Sequence, residues 1–543
     1  MKRFSYSVIF FALLFLAQIQ AQLLTRTAEI KEPSGKEAGF GGVIAGVDFD
    51  KDGKPEIYAC NTNMVDRPYE LVPRIYKFEL NPVTAKWDSV WSATAPLEKQ
   101  NTWPAFTWGD LDKDGKPEIY WAPVNYSPYP DVARILVYEY PGDGSDNMGV
   151  ADGLGGFLPN AMTNIEAGAG INLRPIRFII ADPDKDGKDE LIFADRQGYW
   201  KVGILSVDNI PNLGGGTEKW TVEFKGTDDA VVKTIGACRD VAVIDNIVYV
   251  IENSSGKVVG AKYENGAWKG TKLQSTVAGG NASFKGSSVI DLNNDGKKEI
   301  LLAGNNTGAK IWLLQQEADT LKSTQLVDTT PIGATRLNGA AVGDIDGDGK
   351  IDFVTASYHS TANTRKVPVI RVEYQGGDIA SASNYVASVI DSAYWANNGN
   401  MDVVVIANVD GDKEDEVLYT QGYTLGNPND DRMPLIVLDS KYTKVSVEKI
   451  DNNIPTQFNL EQNYPNPFNP STQIKFGISE ASNIELKIYD ILGREVAVLI
   501  NKEFMNAGSY SVKFNAGNLA SGIYIYKLST EKNTISKKMQ LLK

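Results

Sequence analysis

Five stretches of this chain set Asp, Asn and Glu at intervals that suit a hard cation. The first reads Asp48-Phe-Asp50-Lys-Asp52-Gly53-Lys54-Pro-Glu56. Counting Asp48 as position 1, acids stand at positions 1, 3, 5 and 9, with Gly at 6. The pattern returns as Asp110, Asp112, Asp114, Gly115 and Glu118, and as Asp182, Asp184, Asp186, Gly187 and Glu190. It returns again as Asp291, Asn293, Asp295, Gly296 and Glu299, and as Asp344, Asp346, Asp348, Gly349 and Asp352. A weaker sixth copy has Asn408, Asp410, Asp412 and Glu416, with Lys413 at position 6. Calcium accepts six to eight oxygen ligands in irregular geometry, so carboxylates at alternate loop positions can converge on one ion. Position 7 is Lys54, Lys116, Lys188, Lys297 or Lys350. Its backbone carbonyl is a further expected ligand, with the side chain directed away. Gly at position 6 lets the chain turn sharply.

One such loop reads equally well as a solvated turn. Five at one internal spacing crowd carboxylates together repeatedly, which is costly without a counter-ion. The expectation is Ca2+ in about five loops, with the sixth an open case. An EF-hand is not expected, because position 12 after Asp48 is Ala59 rather than a bidentate Glu. The flanks are also strand-like. Short β-branched and aromatic runs such as Ile57-Tyr-Ala and Ile300-Leu-Leu-Ala follow the loops, and Arg74 to Leu80 and Arg134 to Tyr140 lie between them.

The copies start 62, 72, 109, 53 and 64 residues apart. The long interval predicts a degenerate unit, and Cys238 to Ile251 fits, with its loop shortened to Asp245-Asn246. That makes seven units of about four strands each, and radial repetition of four-stranded sheets is a propeller.

The chain has 543 residues, 42% of them hydrophobic, and a net charge of −14. The acidity lies in the repeats, since Lys and Arg outnumber Asp and Glu after Phe458. Such a charge repels nucleic acid and anionic membranes. Cys60 and Cys238 are too few for a disulfide framework, and their pairing is open. Lys2, Arg3, the apolar run Val8 to Ala17 and Ile19-Gln-Ala21 predict a signal peptide over residues 1–21. No stretch is long and apolar enough for a transmembrane helix.

The repeated Asp-x-Asp-x-Asp-Gly…Asp/Glu loops, with Gly39-Phe40-Gly41-Gly42 before the first, resemble the FG-GAP/VCBS repeats of integrin α-subunit propellers and their bacterial relatives. The resemblance implies a seven-bladed β-propeller over residues 22–450, with calcium loops on one face. Residues 451–457 read as a linker. Within residues 458–543, Asn463-Tyr-Pro-Asn-Pro-Phe468, Tyr489-Asp-Ile-Leu-Gly-Arg-Glu-Val496, Leu519-Ala-Ser-Gly-Ile-Tyr524 and the basic end from Lys537 closely resemble the type A C-terminal sorting domain of the bacterial type IX secretion system. The short strands expected there suggest a small Ig-like β-sandwich. The resemblance implies type IX machinery as partner, and surface attachment or release as the fate. The fold class is therefore all-β, a seven-bladed propeller followed by a small sandwich.

No phosphate loop, nucleophile elbow or Cys/His cluster is present in the sequence, and His359 is its one histidine. Aromatic residues around Trp103, Phe106, Trp108, Trp121 and Tyr126 read as core before they read as a sugar platform. The favoured reading is an extracellular binding or adhesion module for a protein or glycan. The alternative is a secreted carbohydrate-active enzyme, because some propellers with similar loops are polysaccharide lyases. Arg67, Arg74, Arg174, Arg177, Tyr126 and His359 would then be its candidates.

Overall fold

The computed structural model describes residues 24–542 apart from internal segments, the longest being 63–71, 98–103, 124–131, 278–283, 358–365, 395–402, 421–433 and 441–446. The expected signal peptide lies outside the described residues. The chain is all-β, with a few single-turn helices. It divides into two compact units, one taking in Arg26–Gly411 and Asp415–Leu438, the other chiefly Asp439–Lys543.

Among the described residues the larger unit contains seven four-stranded antiparallel sheets. Their first strands are Phe40–Val47, Ala105–Gly109, Pro175–Ala181, Cys238–Ile244, Phe284–Ile290, Leu337–Gly343 and Val404–Ala407. Each first strand neighbours the next, and Val404–Ala407 returns to neighbour Phe40–Val47. The result is a closed ring with an axial cavity lined from every sheet, by Gly42, Phe106, Arg177, Asp240, Gly286, Ala340 and Val404 among others. The seventh sheet takes three strands from the end of this unit and its fourth, Leu24–Ile30, from the beginning.

Residue type follows position in the ring. Second strands such as Glu56–Asn61 and Glu190–Asp195 are buried at every residue, because a neighbouring sheet covers each face. This is why their apolar runs are continuous rather than alternating. The outer strand Lys86–Thr94 is largely exposed and polar. The cores lie between successive sheets: Tyr58, Trp91, Trp121 and Tyr138 pack between the first and second, Phe178, Phe193 and Trp200 between the second and third. Close approach of inner strands demands small residues. A Cβ on Gly286 (φ 155°) would lie 2.6 Å from the backbone of Gly339.

The degenerate unit has the expected hairpin. Ile244 pairs with Ile247 across Asp245-Asn246, and Asp245 takes a positive φ of 53°. Cys60 and Cys238 are buried free thiols. Trp121 is fully buried, while Trp108 is 45% exposed and leans on Phe49.

The second unit has two four-stranded sheets around one core that includes Ile474, Phe476, Ile484, Leu486, Tyr526 and Leu541. The expected boundary after Ile450 is displaced. Strand Val447–Asp451 pairs with Gly508–Asn515, so residues given to the propeller and the start of the linker belong to this sheet. The basic end is also a strand, Thr534–Leu541, with Met539 and Leu541 turned inward. The proline segment is tied by side chains. Asn463 Nδ2 donates to Thr472 Oγ1 (2.9 Å) and to the Pro465 carbonyl (3.1 Å). Tyr526 Oη accepts from Asn463 N–H (2.9 Å) and donates to the Glu461 carbonyl (2.7 Å).

Candidate metal centres

Every acidic loop joins the first strand of a sheet to its second. In all five full copies the Gly at position 6 adopts φ between 83° and 91°, a range that side chains disfavour. Its N–H donates to the position-1 carboxylate, at 3.1 Å in Gly53–Asp48 and 2.8 Å in Gly349–Asp344. The position-7 N–H donates to the position-5 carboxylate, as in Lys54–Asp52 at 2.8 Å. Position 9 opens the second strand and turns back beneath the loop. Its carboxylate accepts the N–H of position 2 in Phe49–Glu56 (3.2 Å), Leu111–Glu118 (3.0 Å), Leu292–Glu299 (3.2 Å), Ile345–Asp352 (3.2 Å) and Val409–Glu416 (2.7 Å).

These contacts bring the sequence-expected residues together. One oxygen from each of Asp110, Asp112, Asp114 and Glu118 lies within 4.8 Å of the others, and the same holds for Asp182, Asp184, Asp186 and Glu190. Asp48, Asp50 and Glu56 form a smaller group, as do Asp344, Asp346 and Asp348. The fifth sheet's loop, with Asp291, Asn293, Asp295 and Glu299, shares the turn hydrogen bonds. In the sixth copy Gly411, at φ 79°, donates instead to Asn408 Oδ1 (2.8 Å), and Asp412 lies outside the described residues.

The donor set fits a divalent cation. Glu190 is 1% exposed and neither of its carboxylate oxygens has a hydrogen-bond partner. Glu118 Oε1 is likewise orphaned. Buried acceptors without donors are rare and costly, and an oxygen-seeking ion would satisfy them. Burial first, then neighbouring acids, pushes Glu190 up to about 9. Burial likewise pushes Glu118 up to about 9, and Glu56, Glu299 and Asp352 up to about 7.

Two features differ from expectation. Three of the position-7 lysines do not point away. Lys54 pairs with Asp52, Lys116 with Asp114 (3.1 Å) and Lys350 with Asp348 (2.7 Å). They are drawn back because each also reaches an acid on the third strand, Glu79 (3.0 Å), Glu139 (3.3 Å) or Glu373 (2.6 Å). Those third-strand acids stand directly across from position 9, in the pairs Glu56–Glu79, Glu118–Glu139 and Asp352–Glu373. Sequence reasoning missed them. The second feature is a buried cation in two sheets. Lys77 lies 2.6 Å from Asp50 and from Glu56, and Arg371 lies 2.8 Å from Asp346 and 2.5 Å from Asp352. Burial opposes the charge of Lys77, but Asp146, Asp50 and Glu56 outweigh it and hold the ammonium above its ordinary pKa.

Of the lyase candidates, Arg67, Tyr126 and His359 lie outside the described residues. Arg74 pairs with the buried Glu37 at 2.5 Å, and Arg177 lines the axial cavity 3.7 Å from Asp240. The geometry does not bring these two into one catalytic set.

Residues 48–121 and 291–355 match the FG-GAP-like repeat, and residues 462–541 match the secretion system C-terminal sorting domain. The chain carries FG-GAP repeats and a type IX sorting tail. Solved structures similar to this chain include the periplasmic gluconolactonase of Pseudomonas aeruginosa, at 13% identity and TM-score 0.39, covering 62% of this chain and 86% of that one. The WD40 domain of SCAP from fission yeast is similar at 10% identity and TM-score 0.35, over 95% of both chains. No curated protein matches. The sorting tail implies a secreted or cell-surface protein with the type IX system as partner. No helix among the described residues is long and apolar enough to cross a membrane.

Proposed function

We propose that this protein is a seven-bladed, calcium-stiffened propeller that serves as an extracellular binding or adhesion module, delivered by an Ig-like sorting domain. The observation that carries the reading is the repeated loop geometry: acids from positions 1, 3, 5 and 9 converge, and one of the buried position-9 acids, Glu190, has no hydrogen-bond partner of its own. Asp110, Asp112, Asp114 and Glu118 would hold one ion and Asp182, Asp184, Asp186 and Glu190 another, with the Asp291 loop a third. Calcium there does no chemistry. It neutralises charge, ties first strand to second and makes the ring a rigid carrier for the loops that meet a partner. The sorting tail supports an extracellular site of action.

The test is a glycan and polysaccharide array with the mature protein, with and without calcium, followed by product analysis of each hit. Calcium-dependent binding without cleavage is the expected result. Unsaturated or newly reducing ends would replace this reading with an enzymatic one.

A further inference from the structure

Lys77 and Arg371 occupy the same place in two different sheets. Each lies on a third strand, across from the residue two places beyond position 9: Lys77 pairs with Tyr58 and Arg371 with Val354. Each contacts the same three kinds of acid. Lys77 Nζ lies 2.6 Å from Asp50 at position 3, 2.6 Å from Glu56 at position 9 and 3.0 Å from Glu79 on its own strand. It also reaches Asp146 at 2.8 Å. Arg371 Nη2 lies 2.8 Å from Asp346 at position 3 and 2.7 Å from Glu373 on its own strand, while Nε donates to Asp352 at position 9 (2.5 Å). Both side chains are almost wholly buried, at 1% and 4% exposure. A lysine and an arginine, differing in length and shape, thus converge on one set of carboxylates.

The loops beside the other sheets have nothing comparable at that place. Register puts Val137 there in the second sheet (across from Tyr120), Ile204 in the third (across from Ile192), Leu313 in the fifth (across from Leu301) and Val437 in the seventh (across from Leu418). None carries charge. The contrast falls where the carboxylates differ: Glu118 and Glu190 retain orphaned oxygens, whereas Glu56 and Asp352 each face a cation.

We propose that Lys77 and Arg371 are tethered cations that fill the loops of the first and sixth sheets (Asp48–Glu56 and Asp344–Asp352) from within, so that external calcium is confined to loops lacking one. The inference rests on the calcium reading above and assigns which loops use it. The position-3 and position-9 carboxylates that calcium would need are already held. A divalent ion beside a buried ammonium or guanidinium would also meet like-charge repulsion in a low-dielectric site. The loops of the first and sixth sheets are therefore rigid whether or not calcium is present, and those of the second, third and fifth sheets, which begin at Asp110, Asp182 and Asp291, depend on it.

The experiment counts bound calcium on the mature protein by native mass spectrometry during calcium titration, with circular dichroism to confirm folding. Glu118→Gln and Glu190→Gln should each lower the count by one. Asp50→Asn and Asp346→Asn should leave it unchanged. Lys77→Met and Arg371→Met should each raise it by one, with the new site gaining ~100-fold or more in affinity as the competing charge is removed. A count that falls by one in Asp50→Asn or Asp346→Asn overturns the proposal even if the methionine variants fail to fold, while leaving the calcium reading standing. A wild-type protein that takes up no calcium, and is indifferent to Glu118→Gln and Glu190→Gln, overturns both.

Discussion

Replacing Glu190 by Gln should stabilise this protein without calcium and weaken it with calcium. The Glu190 carboxyl is buried and partnerless, and burial together with Glu223, Asp184, Asp182 and Asp186 pushes it up to about 9 from an ordinary 4.5. At about pH 7.5 the unfolded chain would have it ionised, while the folded, calcium-free loop would have to hold it protonated. The proton uptake sets a ceiling of ~4 kcal/mol on the cost to folding, and relaxation of the loop brings this to ~2–4 kcal/mol. Gln has the same shape and no charge, and its amide has the acidic oxygens of Asp182 and Asp184 as acceptors. In EDTA the thermal midpoint of the propeller should therefore rise by ~2–5 °C, taking ~2 cal/mol/K of unfolding entropy per residue over the ring. In millimolar calcium the same substitution deletes a charged ligand, and the midpoint should fall below wild type. Differential scanning calorimetry of both proteins in both buffers reads the sign reversal. A midpoint lowered in both buffers would mean that Glu190 is a structural acceptor, and an unchanged midpoint in both would mean that its burial carries no strain.

Other outcomes follow from the same geometry. In EDTA the midpoint of the propeller should fall as pH rises from about 5 to about 9. Carboxyls raised in the folded state contribute stability below their unfolded values and lose it as pH climbs through the folded values, about 7 for Glu56, Glu299 and Asp352 and about 9 for Glu118 and Glu190. Saturating calcium should flatten that slope, and melting curves across the pH series check it. Chelation of the wild-type protein should lower the transition of the ring and leave that of the C-terminal unit in place, which calorimetry resolves as two peaks. Gly115→Ala should cost ~1 kcal/mol through its backbone alone, since φ is 89° and a Cβ there meets nothing within 4 Å; urea titration in calcium measures it. Tyr526→Phe removes a hydroxyl joined to Asn463 and Glu461 and should cost the C-terminal unit ~1–2 kcal/mol, read from the second calorimetric peak.

The loops were legible because their chemistry is local: positions 1, 3, 5, 6 and 9 sit within nine residues and need no knowledge of pairing. The second strands were legible as unbroken apolar runs. The shortened hairpin at Asp245-Asn246 was legible from the interval it fills. Glu79, Glu139 and Glu373 were not, because each meets its loop across a strand pair about twenty residues away, and an acid on a strand looks like any outward-facing residue until the register is known. Lys77 and Arg371 escaped for the same reason, since a basic residue inside an apolar strand declares no partner. In the C-terminal unit, Thr534–Leu541 sets Ile535, Met539 and Leu541 on one face, but Lys537 stands in the same register, and that charge masked the period of two. The boundary near residue 450 was misplaced because Val447–Asp451 has no turn residue to separate it from what precedes it, and only its pairing with Gly508–Asn515 assigns it.

The seventh sheet joins the first strand of the ring, Leu24–Ile30, to Leu435–Ser440, more than four hundred residues later. A nascent chain can assemble six sheets from contiguous hairpins, but the last circumferential seam stays open until both ends are present. Loop closure over that length grows only logarithmically in entropic cost, so the delay is one of arrival rather than of thermodynamic penalty. Once sealed, neither end of the ring can peel away without parting strands contributed by the other. The buckle resists unravelling from a terminus, which is where exported proteins first meet proteases and mechanical pull.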